Sequence, residues 1–281
     1  MTSVDVTVRG AGIFGLSVAW ACLLRGASVR VVDPFGPGAG SSGGLVGALA
    51  PHVPEQWNAK KAFQLESLLM QEAFWRGVGE LTGLPTGYAR NGRLQPLVDD
   101  AAVTLAKARA ESAKTLWGDA ATWAVVPATD TPWMPPSPSG YVVHDTLTGL
   151  AHPRAATRAL AQAVRISGAK IVGEGAPQGQ VVWATGWRGL EEMTAQHSRL
   201  VGAGVKGQGA LLRFDAAGLP QLFADALHIV PHGDGTVAIG STSERQFDTP
   251  DQPDHQLDDV LARAIAAFPV LREAEVIHRW A

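Results

Sequence analysis

The first 33 residues constrain this chain more than any other stretch. Val4, Val6 and Val8 alternate with Asp5 and Thr7, the two-residue period of a strand. Gly10-Ala11-Gly12-Ile13-Phe14-Gly15 then opens an apolar helical stretch that runs to about Arg25, where Gly26 ends it. Residues 28–32 are apolar and β-branched and lead into Asp33. Strand, glycine turn, helix and strand in this order make a βαβ unit. A bare GxGxxG is weak evidence, but one that follows a strand, opens a helix and precedes an acidic strand end is a dinucleotide cradle. Gly10 permits the tight turn, Gly12 lets backbone approach a pyrophosphate, and Gly15 lets the helix pack closely. The helix N-terminus at Ile13 and Phe14 faces the anion. Asp33 is placed to accept hydrogen bonds from a ribose hydroxyl and would repel a 2′-phosphate, which disfavours NADP.

Beyond this unit the pattern alternates between two characters. Residues 34–47 form a glycine- and serine-rich loop, and residues 58–79 read as a long amphipathic helix anchored by Phe63, Leu65, Leu69, Phe74 and Trp75. Asn91-Gly92, the dipeptide of a type I′ turn, predicts a hairpin over residues 88–95 in an antiparallel sheet. Asp99 and Asp100 can cap a helix to about Trp117, with Gly118 closing it in the left-handed conformation. Five prolines in residues 127–138 exclude a helix or central strand and leave a stiff surface loop around Trp133. Pro153 starts an alanine-rich helix with Ala156, Leu160 and Val164 on one face; Gly168 ends it, and a strand follows at 169–172. Residues 180–183 read as another buried strand, and 209–214, 223–231 and 236–239 as antiparallel strands. The expected fold class is α/β: a Rossmann-like domain with a parallel sheet (1–85 and 146–203) and a discontinuous antiparallel α+β substrate domain (86–145 and 204–281). A ligand would bind at their junction, near the carboxyl ends of the parallel strands.

Composition narrows the function classes. Lys plus Arg number 23 against 26 Asp plus Glu, and the net charge of -3 leaves no field to attract a phosphate backbone, so non-specific nucleic-acid binding is disfavoured. The single cysteine, Cys22, allows neither an internal disulfide nor a thiolate metal site and fits a reducing compartment, the cytoplasm. The longest apolar run, 11–24, is interrupted by Gly12, Gly15 and Ser17 and is shorter than the roughly 18 residues of a spanning helix, so no membrane partner is expected. The eight histidines include no HExxH or HxH pair, so no metal site is expected; no GxSxG is present, and residues 202–209 lack the GK[ST] of a P-loop.

Downstream segments carry a resemblance. They are Gly40-Ser41-Ser42-Gly43-Gly44-Leu45-Val46-Gly47-Ala48-Leu49-Ala50-Pro51, Gly149-Leu150-Ala151-His152-Pro153, Val181-Val182-Trp183-Ala184-Thr185-Gly186, Lys206-Gly207-Gln208, Ile229-Val230-Pro231 with Gly233-Asp234-Gly235, and Gly240-Ser241-Thr242. In order and spacing they resemble the glycine oxidase and D-amino acid oxidase family of flavoenzymes over essentially the whole chain. The resemblance implies FAD, with its adenine end on the βαβ unit and its ring near the domain junction. Ser42, with Ser41 beside it, would contact the pyrophosphate. Gly47, Ala48 and Leu49 would lie along the flavin ring, and Ala184, Thr185 and Gly186 would approach the adenosine side. Small residues at these places let backbone N–H groups reach phosphate and ring oxygens. The implied reaction is hydride transfer from the carbon bearing an amine to flavin N5, giving an imine that water hydrolyses. The partners are then a small amine or amino acid and oxygen or another electron acceptor; homo-oligomer or partner subunit stays open.

The chain departs from the family pattern twice. Where glycine oxidases often have tyrosine before the Ile229-Val230-Pro231 segment, this chain has His228, a hydrogen-bond donor to substrate or an ordinary strand histidine. Arg279-Trp280-Ala281 resembles the start of the family's Trp-Ala-Gly-Leu-Arg-Pro segment, whose arginine does not follow. One alternative is therefore a truncated flavin-binding protein, inactive without a C-terminal segment or partner subunit. Another, from residues 47–51 before a Phe-containing helix, is an oxidase of aminomethyl-modified tRNA uridine, which the low basic charge opposes. His228 and Lys206 are the catalytic candidates; near a flavin, the cation of Lys206 would stabilise reduced anionic states or superoxide, whereas its ordinary reading is a solvated loop lysine.

Overall fold

A computed structural model of the chain describes residues 4–281. β1 (Val6–Arg9), α1 (Ile13–Leu23) and β2 (Val29–Val32) form the expected unit, with β1 and β2 parallel from Val6 opposite Val29 to Arg9 opposite Val32. A short β3 (Ala48–Leu49) follows the glycine-serine loop. α2 (Ala59–Thr82) begins where the Asn58 side chain accepts from the Lys61 amide and ends at Gly83, whose φ of 67° is left-handed. Then come β4 (Arg93–Pro96), α3 (Asp100–Leu116), β5 (Trp123–Pro127), β6 (Tyr141–Asp145) and β7 (Gly149–Leu150). Asp99 caps α3 by accepting from the Ala102 amide at 2.8 Å. α4 (Pro153–Ile166), β8 (Lys170–Val172), β9 (Gln180–Trp183) and α5 (Gly186–Ala195) return to βα character. β10 (Gly209–Arg213), β11 (Gln221–Ala224), β12 (Leu227–Pro231), β13 (Thr236–Gly240), α6 (His255–Ala267) and β14 (Glu275–Trp280) follow.

The strands form a four-stranded parallel sheet, ordered β8-β2-β1-β9, and an eight-stranded sheet ordered β14-β10-β13-β12-β11-β4-β6-β5. Val8 and Val31 of the first sheet are buried with Leu16, Ala19 and Trp20 of α1 and Leu160 and Val164 of α4. One face of the second sheet, through Leu212, Leu222, Ile229 and Ile239, is covered by Leu257, Leu261 and Phe268 in and after α6. On the other face Val230 and Ala238 pack against Leu45 and Leu150, with Val46, Ala48 and Trp280 alongside. β3 and β7 pair as a small antiparallel ribbon, and Leu49 of that ribbon also reaches the first core. The ribbon thus joins the two sheet systems.

Four local expectations are corrected. Residues 88–95 do not form a hairpin: β4 pairs antiparallel with β6 and parallel with β11, so the second sheet is mixed rather than antiparallel. Gly92 does take a positive φ of 79°, but its N–H donates to Thr148 O and its α-carbon lies close against Asp145, so the glycine serves a tertiary approach. The stretch 223–231 is two strands, β11 and β12, turned at Asp225 and Ala226 with φ of 51° and 59°. Among the described residues β9 pairs only with β1 and stands at a sheet edge, and Trp183 is 67% exposed instead of buried. Phe63 projects from α2 at 73% exposure and is no anchor; Trp75 and Leu68 are.

Candidate functional site

Glycine geometry builds the cradle. Gly10 has a φ of 108°, and a Cβ there would lie 2.2 Å from Ala184 O. A Cβ on Gly15 would lie 1.9 Å from Gly10 O, so α1 can sit against the end of β1 only if Gly15 has no side chain. Gly12 faces Ser42, whose Oγ would be 3.1 Å from a Cβ. That Oγ accepts from the Ile13 amide at 2.9 Å, and Gly12 at the N-cap has no side chain with which to cap the helix. Among the described residues the N–H groups of Gly12 and Phe14 find no acceptor. Free donors at a helix N-terminus, approached by glycine rather than bulk, fit the diphosphate of a dinucleotide.

The other candidate residues divide around this point. Asp33 accepts from Ala11 N at 2.7 Å through Oδ2 and from Phe35 N at 2.9 Å and Gly36 N at 3.2 Å through Oδ1. Its first task is therefore to shape the glycine loop and the turn after β2; an ionised carboxylate has about four lone-pair sites, so acceptor capacity for a ribose hydroxyl is left. Ala184 lies against Gly10, while Thr185 and Gly186 are exposed at the start of α5 and Phe14 is 81% exposed. Ser41 opens a short 3-10 turn and is exposed. Gly47, Ala48 and Leu49 belong to the ribbon: Gly47 O accepts from Ala151 N, and a Cβ on Gly47 would collide with Ala151 O.

Strand alternation places Arg93, Gln221, Phe223, His228 and Val230 on one face of the second sheet, the face that meets the ribbon. His228 lies opposite Phe223 with ring centroids 4.7 Å apart, and its Nδ1 is buried without a partner. Burial, helped by the Arg93 charge, lowers its pKa to about 4, so the ring is neutral at pH 7. Arg93 donates from Nε to Asp145 Oδ2 at 2.9 Å, and both side chains are buried. Sequence reasoning missed Arg93 and Gln221; their one signal was a polar residue at the start of an apolar strand.

Lys206 has a different setting from either reading offered for it. Its side chain is 1% exposed, with Nζ 2.8 Å from Asp254 and 3.8 Å from Glu244. Gln208 bridges the same two carboxylates, and Gln256 donates to Glu244. The ammonium is neither solvated nor free; it locks the segment before α6 to the start of β10.

A second group missed in the sequence lies where the ribbon meets the β12–β13 turn. His232 is buried at 1% exposure, and its Nε2 is 3.0 Å from Leu45 O, the distance of a hydrogen bond to that carbonyl. Its ring is 4.5 Å from that of His152, which caps α4 by accepting from Ala155 N and lies 3.6 Å from Asp234. Burial and then the neighbouring His152 lower His232 to about 4. Among the described residues there is no cluster of His, Cys, Asp and Glu suited to a metal ion, and no helix is long and apolar enough to cross a membrane.

The sequence matches the family described as DAO, FAD dependent oxidoreductase, over residues 5–281. No curated protein matches it. Among solved structures, glycine oxidase from Geobacillus kaustophilus gives a TM-score of 0.80 at 20% identity, covering 99% of this chain and 82% of that one. Glycine oxidase from Bacillus cereus gives 0.80 at 21% identity, covering 99% and 83%. Iminodiacetate oxidase from Chelativorans sp. gives 0.78 at 17% identity, covering 98% and 82%. At these identities the likeness is one of fold.

Proposed function

The chain belongs to the DAO family of FAD-dependent oxidoreductases, and on that premise we propose that it oxidises the carbon–nitrogen bond of a small amine or amino acid. FAD bound there would supply the hydride acceptor for the carbon bearing the amine, the imine so formed would be hydrolysed by water, and oxygen or another acceptor would take up the electrons. The residues of the chain bind and orient. The amides of Gly12 and Phe14 hold the diphosphate, with Ser42 fixed beside them by Ile13. Gly47 keeps its loop against Ala151, which lays Ala48 near Val230 and Ala238. The apolar packing of Leu45, Leu150, Val230, Ala238 and Trp280 keeps water from that side of the ring. His228, neutral at pH 7, would offer the substrate one hydrogen bond through Nε2, which unlike Nδ1 is not sealed from solvent, without adding a charge.

The observation that carries this reading is continuity: one segment, residues 41–49, runs from the diphosphate cradle to the sheet face that bears His228. The test is spectral. Protein incubated with FAD and freed of excess should keep the yellow flavin spectrum, and glycine, sarcosine, proline or D-alanine should bleach it in the absence of oxygen. A coloured protein that none of the four bleaches, and that no simple amine bleaches either, would sink the proposal.

A further inference from the structure

We propose that the cleft between α4 and the glycine-serine loop is a second anion site, separate from the diphosphate cradle, that binds a small ligand bearing a phosphate group. The site goes beyond the amine-oxidising reading and does not rest on it. The cleft holds about 300 Å³, and its walls include Arg154, Arg158 and Arg165 of α4 together with Ser42, Gly43 and Thr157. Offsets of four and seven residues put the three arginines on one face of the helix. Neither α4 nor residues 34–47 contain a carboxylate, so these cations gather unopposed in a chain whose net charge is -3. Helix physics by itself opposes the arrangement. Arg154 and Arg158 are like charges at i and i+4, and Arg154 lies in the first turn, where the macrodipole is already positive. Proteins break such local rules where a function requires it. Arg154 is fixed across the opening: its Nε donates to Gly43 O at 2.7 Å, and a terminal nitrogen lies 3.0 Å from His278 Nε2. Arg158 and Arg165 are exposed and have no acceptor among the described residues. Their planar forks are therefore free, and paired guanidinium groups over one cleft suit the several oxygens of a phosphate. Ser42 stands between the two sites. Its Oγ faces Gly12 and Ile13 in the cradle, while its carbonyl lies 3.5 Å from Thr157 Oγ1 on the α4 side.

The test is a calorimetric titration of the FAD-saturated protein with pyrophosphate at constant ionic strength. One saturable site is expected. Arg158→Gln combined with Arg165→Gln should weaken it about tenfold or more, the size of one lost charge-assisted contact. Because neither side chain holds another, the same pair should melt within about 2 °C of the unsubstituted protein. A control pair of exposed arginines outside the cleft, Arg76→Gln with Arg272→Gln, removes the same charge and should change the affinity less than about twofold. Absence of saturable binding to the FAD-loaded protein overturns the proposal. So does a loss in the cleft pair no greater than in the control pair, since the attraction would then be to charge in general. The two sources of a phosphate site separate in the same titration: pyrophosphate that binds only FAD-free protein, and is expelled by FAD, fills the cradle, and the second site falls. None of these outcomes depends on whether an amine bleaches the flavin, so failure of the amine-oxidising reading and failure of this site remain distinct.

Discussion

A single methyl group separates the roles of the cradle glycines. On Gly15 it would sit 1.9 Å from a backbone oxygen that cannot swing away, whereas on Gly12 it meets only the Ser42 hydroxyl at 3.1 Å. Gly15→Ala should therefore lower the melting temperature by several degrees and abolish FAD retention, since backbone must shift to admit it. Gly12→Ala should melt within about 2 °C of the unsubstituted protein but bind FAD about tenfold or more weakly, because the methyl occupies the approach to the helix amides. Equal losses of stability in a melt and of affinity in an FAD titration would refute the division. At Lys206 the expected loss is of fold. Lys206→Met strands Glu244 and Asp254 without their cation, and a drop of roughly ten degrees in melting temperature should accompany it. An unchanged melt with slowed flavin reoxidation would return the lysine to the flavin. The GxGxxG residues were legible because their requirement is local. Arg93 and Lys206 were not, because whether a cation is solvated, paired or waiting for a ligand depends on neighbours about 50 residues away.

Among elements, those with local terminators were read best. Asn58 and Asp99 start α2 and α3 where the sequence placed them, and Gly26 after α1 and Gly118 after α3 take the left-handed conformation. The turn between β11 and β12 shows the opposite case. Asp225 and Ala226 both hold positive φ although neither is glycine, and Arg263 steadies the turn by bonding the Asp225 carboxylate and carbonyl at 2.5 Å. The Cβ of an alanine in that conformation costs about 1 kcal/mol. Ala226→Gly should raise the melting temperature by about 2–4 °C in a chain of this size, and a neutral or lower melt would show that the turn's strain is relieved elsewhere. Asn91-Gly92 misled for the complementary reason: the dipeptide usually marks a hairpin, but here its glycine serves the close approach to Asp145.

Across the whole molecule, neutral histidines lie on the face where the two sheet systems meet. His232 and His228 are held near 4 by burial, and burial also lowers His152. Unfolded, each would titrate near 6.5. Between 6.5 and 4 the unfolded chain takes up protons that the folded one refuses, so the stability present above pH 6.5 is lost progressively as the pH falls. Asp234 beside His152 tempers this. Melts from pH 7.5 to 4.5 should fall on the acid side, and His232→Gln should flatten that fall; an identical slope would exclude His232 as a source. The chain's own sequence determined the βαβ cradle, helices α1 to α4 and the family resemblance, because glycine spacing, caps and apolar period act within a few residues, whereas α5 and α6 were not read from it. Tertiary structure alone decided which strands neighbour each other, which cations are neutralised, and that His228 and Arg93 share a face, because pairing across 50 to 130 residues is set by burial of whole surfaces and leaves no local mark.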